Sequence, residues 1–193
     1  MQNSPMPNET LSANDLLLAE QTYLAQVAFQ TNEDRSRVST FYVASVGSLI
    51  LAITSAQTQL VQSGPIYWGF VILFLALSLS GLLVLLQLVR LRQAWFETVL
   101  AMNQIKDYYT QYLPEEALDT AFMWTNASLP AKFKPWSISF LLTLQVAIIG
   151  GVTLGAALVF AGSATGISLW PPAILLGLLY MVLQLLLYRR LLR

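Results

Sequence analysis

Hydrophobic positions along this chain fall into four long runs separated by polar segments. The runs cover residues 38–57, 66–89, 136–161 and 170–188. Each is close to or above the roughly 20 apolar residues that a helix needs to cross a bilayer. Aromatic residues stand near the ends of three runs, at Trp68, Trp136, Trp170 and Tyr188, as interfacial side chains do. The pattern predicts an all-α integral membrane protein with four transmembrane helices, TM1 to TM4.

The polar segments between the runs differ in charge. The loops at 58–65 and 162–169 contain no charged residue, whereas the segments 1–37, 90–135 and 189–193 contain every Lys and Arg. Positively charged segments stay on the cytoplasmic side of a membrane. We therefore expect a multi-pass protein of the inner (plasma) membrane, with both termini and the segment 90–135 in the cytoplasm (N-in/C-in).

Helical periodicity continues outside the predicted spans in two places. Within 1–37, one helical face carries Leu17, Leu24, Val27, Ala28 and Thr31, and no helix breaker separates this amphipathic helix from TM1. Beyond TM2, apolar side chains recur at steps of three and four with the polar Thr98 among them, as in a coiled coil. We call these apolar residues the docking seam: Trp95, Met102, Ile105, Tyr109 and Tyr112.

The docking seam needs a partner, and the N-terminal helix is the nearest candidate. TM2 and the seam contain no proline before Pro114, so the pattern predicts one helix that leaves the membrane and continues to Tyr112. A short second helix is expected over 114–124, followed by a loop that returns to TM3. Together these segments predict a cytoplasmic helical layer beneath the four spans.

Composition narrows the functional classes. The chain is 56% hydrophobic and 10% charged, with a mean hydropathy of +0.61, whereas a soluble domain is about 25% charged. Cysteine and histidine are absent, which removes thiolate chemistry, the commonest general base and the commonest metal ligand. No span interior contains an ionisable Asp, Glu, Lys or Arg, which argues against a proton-coupled exporter. We expect no catalytic, cofactor or metal site, and the balanced charge gives no support for nucleic-acid binding.

Two sets of residues within the spans are candidates for helix packing. Small residues recur every four positions in TM1 and TM3 and are interpreted as packing or oligomer contacts: Ala44, Ser48, Ala52, Ala56, Ala147, Gly151 and Gly155. The alternative for TM1 is a hydroxyl-lined pore through Ser45, Ser48, Thr54 and Ser55. Three intramembrane amides at similar depth, Gln87, Gln145 and Gln184, are interpreted as interhelical hydrogen-bonding groups, with ligand coordination as the alternative.

Basic residues are concentrated near the predicted cytoplasmic interface. We call this set the basic rim: Arg35, Arg37, Arg90, Arg92, Lys132, Lys134, Arg189 and Arg190. The simpler interpretation is that these charges set the topology. The alternative is that they bind an anionic lipid headgroup or a soluble phosphate ligand.

Two resemblances bear on function. The segments RLRQAWFETVLAMNQIKDYYTQYLP (90–114) and FKPWSISFLL (133–142) resemble an uncharacterised family of prokaryotic four-span membrane proteins. The general plan, a cytoplasmic helix ahead of paired spans, is similar to that of membrane effectors in prokaryotic nucleotide-signalling defence. Neither resemblance implies a role for a particular residue.

The expected function is that of a non-enzymatic, self-associating membrane protein, a platform for structure or interaction through its cytoplasmic helices. Its expected partners are the lipid bilayer, further copies of itself, and a cytoplasmic protein or an anionic ligand. The alternative is an oligomeric membrane-permeabilising or channel-like effector in a stress or antiphage signalling system. A membrane enzyme that uses serine or carboxylate chemistry without histidine is a third hypothesis.

Overall fold

The computed structural model describes residues 13–57, 64–112, 126, 129 and 131–193. Within this part of the chain there are four α-helices and no strand, which confirms the prediction of an all-α protein. The helices are α1 (Ala13–Gln57), α2 (Gly64–Tyr112), α3 (Ile138–Thr165) and α4 (Trp170–Leu191). The predicted short helix at 114–124 and most of the predicted loop at 58–65 lie outside the described residues.

Helices α1 and α2 are much longer than a membrane span. They contain 45 and 49 residues, or about 68 and 74 Å at 1.5 Å per residue, against a hydrocarbon layer of about 30 Å. Helix α1 joins the predicted N-terminal helix to TM1 without a break. Helix α2 carries TM2 past Arg90 and Arg92 to Tyr112, which confirms that this helix continues beyond its apolar run.

Three of the described helices are long and apolar enough to cross a membrane. They are the Pro65–Tyr112 part of α2, Ile138–Thr165 and Trp170–Leu191. This agrees with the prediction of a transmembrane helical protein. Helix α1 is not among the three.

Local chemistry fixes where α3 begins and ends. Trp136 has a left-handed backbone conformation, with φ of 62°, so the helix cannot start at residue 136 as predicted. It starts at Ile138, where the Oγ of Ser137 accepts a hydrogen bond from the N–H of Phe140 at 3.2 Å. At the other end of α3, Gly166 adopts the left-handed conformation (φ 74°) that commonly ends a helix.

The chain forms two compact units. The first, which we call the seam unit, comprises Met1–Gln30 and Trp95–Leu129. The second, which we call the bundle unit, comprises Thr31–Ala94 and Pro130–Arg193. The bundle unit therefore contains α3, α4 and the apolar parts of α1 and α2.

All four helices contribute to the core of the bundle unit. One cluster of buried side chains contains Tyr42, Val46, Leu85, Leu88, Val89, Val146, Tyr188 and Leu192. A second cluster joins Ile53, Phe74 and Ala157, with Phe70 and Phe160 packed against it. The part of α1 that was predicted as TM1 therefore packs beside α2, α3 and α4 as the fourth helix of this unit.

Hydrogen bonds also connect the helices of the bundle unit. The hydroxyl of Tyr42 donates to the carbonyl of Leu77 at 3.2 Å. The hydroxyl of Ser78 donates to the carbonyl of Gly150 at 3.3 Å, and the Ser78 carbonyl accepts from Tyr180 at 3.1 Å. Such bonds join helices in a medium where water cannot compete for the same groups.

Candidate functional site

The small residues of α3 bring its backbone against that of α4. A Cβ added to Gly151 would lie 2.6 Å from the carbonyl oxygen of Gly177, and one added to Gly177 would lie 2.7 Å from that of Gly151. A Cβ on Gly155 would lie 3.0 Å from the carbonyl oxygen of Ala173. Ala147 is fully buried. Gly151 and Gly155 thus allow two helix backbones of one chain to approach closely, and the predicted packing residue Ala147 is buried in the same unit.

The small residues of α1 lie on its outer surface. Ala44 and Ser48 are exposed, and a Cβ added to the adjacent Gly47 would meet nothing within 4 Å. The side chains of Ala52 and Ala56 lie outside the described residues. Two hydroxyl residues of the alternative pore, Ser45 and Thr54, are also exposed, whereas the interior of the bundle unit is lined by other residues.

An apolar groove runs along the outer surface of α3 and α4. Its volume is about 540 Å³, and Gly151, Val152, Gly155, Phe160, Trp170 and Ile174 are among its lining residues. The groove exists because the glycines leave no side chain to fill the space above the contact between the two backbones. Its lining offers almost no polar group, so it suits hydrocarbon or another apolar helix.

The three predicted amides are not brought together. Gln87 and Gln145 are exposed on α2 and α3, whereas Gln184 is buried in the bundle unit. Neither Nε2 nor Oε1 of Gln184 has a hydrogen-bond partner. Its amide lies beside Gly150, where an added Cβ would come within 2.9 Å of Nε2.

The docking seam is buried or half-buried along most of its length. Ile105 is buried, and Trp95, Met102 and Tyr109 are half-buried. Tyr112 is 65% exposed, and its ring packs on Tyr108 of the same helix, with centroids 4.5 Å apart. The seam therefore ends one turn earlier than its sequence spacing indicates.

Helix α1 supplies part of the same compact unit. Leu24 is buried there, and Leu17, Val27 and Ala28 are half-buried. Among the described residues of the unit, the most buried polar one is Asn103, which is 1% exposed and has no hydrogen-bond partner for Nδ2 or Oδ1. Sequence analysis missed Asn103 because an amide does not register in a search for apolar spacing.

The basic rim divides into exposed and buried residues. Six of its members are exposed at the surface: Arg37, Arg90, Lys132, Lys134, Arg189 and Arg190. Arg35 and Arg92 are only 5% and 8% exposed. The sequence places all eight near one interface, but only these two side chains are directed into the bundle unit.

Arg35 and Arg92 lie in a cluster of buried polar groups that is otherwise hydroxylic. We call Arg35, Ser39, Arg92, Ser139 and Tyr188 the inner polar cluster. The Nε of Arg92 donates to the carbonyl of Lys132 at 3.1 Å. The hydroxyls of Ser139 and Tyr188 are 3.2 Å apart and share a hydrogen bond.

The guanidinium of Arg35 lacks hydrogen-bond partners for two of its nitrogens. Its Nε and Nη2 atoms are buried and make no hydrogen bond, and the same holds for the Oγ of Ser39, one turn along α1. Burial, and secondly the charge of Arg92, lower the pKa of Arg35 from its ordinary value, while Tyr188 acts in the opposite direction. The two cations are therefore close enough to repel each other.

Aromatic rings border the inner polar cluster on one side. The ring of Phe133 lies 6.2 Å from that of Tyr188 and 6.0 Å from that of Phe140. The guanidinium of Arg189 stands over Phe133 at 5.9 Å from the ring centroid. Arg189 of the exposed rim thus stands beside the inner polar cluster, with the Phe133 ring between its guanidinium and Tyr188.

The two units also differ in the charge of their sequences. The segments of the bundle unit contain nine Lys or Arg and two acidic residues, Glu33 and Asp34. The segments of the seam unit contain eight acidic residues and one basic residue, Lys106. The neutrality of the whole chain hides this separation, which sequence analysis missed because it summed the charges over all 193 residues.

Comparison with known proteins does not place the chain in a family. No family model matches it, and neither a curated protein nor a solved structure is significantly similar to it. The resemblances drawn from residues 90–114 and 133–142 and from the general plan therefore rest on sequence features alone.

Proposed function

We propose that the chain is a four-span protein of the inner membrane with both termini in the cytoplasm. Support for the fourth span comes from Tyr42, Val46 and Ile53, through which α1 packs among helices that are long and apolar enough to cross a bilayer. Support for the orientation comes from the basic rim, because cytoplasmic segments carry an excess of Lys and Arg.

We further propose that the protein is non-enzymatic and self-associates within the membrane. The observation that carries this proposal is the exposed amide of Gln145 on α3, seven residues or about 10 Å beyond the start of that helix. Hydrocarbon offers such a group no hydrogen bond, whereas a neighbouring copy does. The exposed small residues Ala44, Gly47 and Ser48 of α1 would let a second helix approach closely.

The seam unit is the proposed platform for a cytoplasmic partner. Its described surface exposes the apolar side chains of Leu16, Tyr23 and Phe29, which are 66%, 59% and 71% accessible. Its sequence is strongly acidic. A partner that presents basic and apolar side chains would fit both properties.

Single-cysteine cross-linking tests self-association directly, because the native chain contains no cysteine. We expect Ser48→Cys and Gln145→Cys to form disulfide-linked dimers in oxidised membranes. Leu175→Cys is the matched control, because Leu175 is 69% exposed on α4 but adjoins neither feature. A monomeric mass by light scattering, together with cross-linking no greater than that of the control, would refute the proposal.

A channel-like effector is the second candidate function. The observation in its favour is a series of buried polar side chains inside the bundle unit, among them Ser39, Ser78, Thr143, Thr153 and Gln184. The cluster of Ile53, Phe74 and Ala157, together with the ring of Phe160, would act as an apolar closure at the far end. Expression with a membrane-potential dye tests this function, and an unchanged potential in the presence of an activating signal would count against it.

A further inference from the structure

We propose that the inner polar cluster is a binding site for a phosphate-class anion, either a phosphate monoester or a phosphodiester. Arg35 is the principal ligand-binding residue, Arg92 adds a second positive charge, and Ser39 contributes a hydroxyl donor. This inference does not depend on self-association, because every residue that it uses belongs to the bundle unit of one chain.

The first argument is that Arg35 is a buried cation that forms no ion pair with a carboxylate in the part of the chain that the structure describes. The acidic residues of the bundle unit are Glu33 and Asp34. Glu33 pairs with Arg37 at 3.6 Å on the exposed surface, and the groups that shift the pKa of Arg35 are Arg92 and Tyr188 rather than a carboxylate. Burying an unpaired charge is costly, and a second cation nearby increases the cost. An anion between the two guanidinium groups would remove both penalties.

The second argument concerns which anion fits. Nε and Nη2 are the two unpartnered nitrogens of Arg35, and they lie on the same edge of the guanidinium. That edge donates two parallel hydrogen bonds, the arrangement that arginine uses to bind phosphate and carboxylate oxygens. A phosphate group has further oxygens, which the unpartnered hydroxyl of Ser39 can reach from one helical turn away. A carboxylate would use the guanidinium edge but leave the hydroxyl without a partner.

The third argument is the setting of the site. The bundle unit contains nine basic residues against two acidic ones. Two exposed cations stand near the cluster: the carbonyl of Lys132 accepts a hydrogen bond from Arg92, and Arg189 lies over the Phe133 ring. Basic pockets at the cytoplasmic ends of transmembrane helices bind lipid headgroups. A soluble phosphoester presents the same chemistry to the same residues.

Thermal unfolding of the purified full-length chain in an uncharged detergent tests the site. The five tryptophans provide the fluorescence signal. One series adds phosphatidylglycerol, with phosphatidylcholine as its reference, and the other adds inorganic phosphate, with sodium chloride at equal ionic strength as its reference. We expect a saturable rise in unfolding temperature in at least one series. A rise with the anionic lipid alone identifies a headgroup site, and a rise with inorganic phosphate identifies a soluble ligand.

Arg35→Met and Arg37→Gln form the decisive pair of variants. Each variant removes one positive charge, and the two positions are only two residues apart. Arg35 is buried, whereas Arg37 is exposed and paired with Glu33. We expect Arg35→Met to raise the ligand concentration needed for half of the maximal temperature shift by at least about tenfold, as the loss of a charged hydrogen-bond donor does. We expect Arg37→Gln to change that ligand concentration by less than about twofold, because Arg37 is an exposed charge.

The variant Arg35→Met should also fold, because it replaces a buried unpaired charge with an apolar side chain of similar length. An unfolding temperature without ligand equal to or above that of the wild type would support this. The proposal is overturned if neither series shifts the wild type, or if Arg35→Met and Arg37→Gln respond alike. A chain that proves monomeric in the cross-linking experiment would still respond to ligand in at least one series. The two proposals can therefore be refuted independently.

Discussion

The contact between Gly151 and Gly177 gives the sharpest prediction of stability. In Gly151→Ala the new Cβ would lie 2.6 Å from the carbonyl oxygen of Gly177, a separation that has to grow to at least 3.0 Å. The contacted atom belongs to the backbone, so no side chain can rotate away. Helices α3 and α4 must move apart, and the other contacts between these two helices weaken as a result.

The cost of this separation is about 1–3 kcal/mol, the usual range for overpacking a well-packed core. Gly69→Ala is the matched control, because Gly69 is exposed on α2 and its added Cβ would meet nothing within 4 Å. Both variants gain the same helix propensity, up to about 1 kcal/mol, so the difference between them isolates the steric term. Reversible unfolding in mixed micelles with increasing SDS, followed by circular dichroism, measures it. Equal stability of the two variants would refute the close approach of the two backbones.

Three further sets of substitutions test other contacts in the same assay or by proteolysis. Gln184→Leu should stabilise the bundle unit by about 1–3 kcal/mol, because both polar atoms of its amide are buried without partners. Gly81→Ala should destabilise it, because the new Cβ meets the hydroxyl of Tyr42, and Tyr42→Phe should partly rescue that loss. Replacing both Met102 and Ile105 with Asp should make residues 13–37 more sensitive to protease while leaving membrane insertion unchanged.

Each of these tests has an outcome that contradicts its reasoning. A destabilised Gln184→Leu variant would show that the amide has a partner in the folded protein. Additive losses for Gly81→Ala and Tyr42→Phe would show that the two sites do not touch. Gln104→Asp is the control for the docking seam, since Gln104 is exposed on the same helix. If this control and the Met102/Ile105 double variant are equally sensitive to protease, the seam does not pair with α1 as proposed.

Positions along a helix axis were predictable, but directions around the axis were not. Pattern analysis correctly placed Gln87, Gln145 and Gln184 in apolar helices, but they point in different directions. A helix that is apolar on every face gives no signal for which side meets its neighbours. The same reason explains why the sequence could not separate the buried Arg92 from the exposed members of the basic rim, because Arg92 closely follows the apolar run of α2.

The continuity of a helix could be predicted from the sequence, whereas the residue at which a helix starts could not. The uninterrupted run of α2 to Tyr112 follows from the absence of proline between Ile66 and Leu113, a purely local property. The start of α3 depends on the left-handed conformation of Trp136, which is unusual for a bulky residue and has no sequence signal. A search that admitted polar residues would have found the buried face of α1, where Arg35, Ser39 and Tyr42 fall at helical steps.

The pairing of α3 with α4 has a consequence for how the protein is made. The pairs Gly155–Ala173, Gly151–Gly177 and Ser139–Tyr188 have midpoints within about one residue of each other in the chain, so they close in a single register around the turn at Gly166. A short turn and local contacts allow a helical hairpin to assemble quickly. Helices α3 and α4, which are synthesised after α1 and α2, can therefore enter the bilayer already paired. The carbonyls of Gly150 and Ser78 then provide the hydrogen bonds that join this hairpin to the part of the chain synthesised before it.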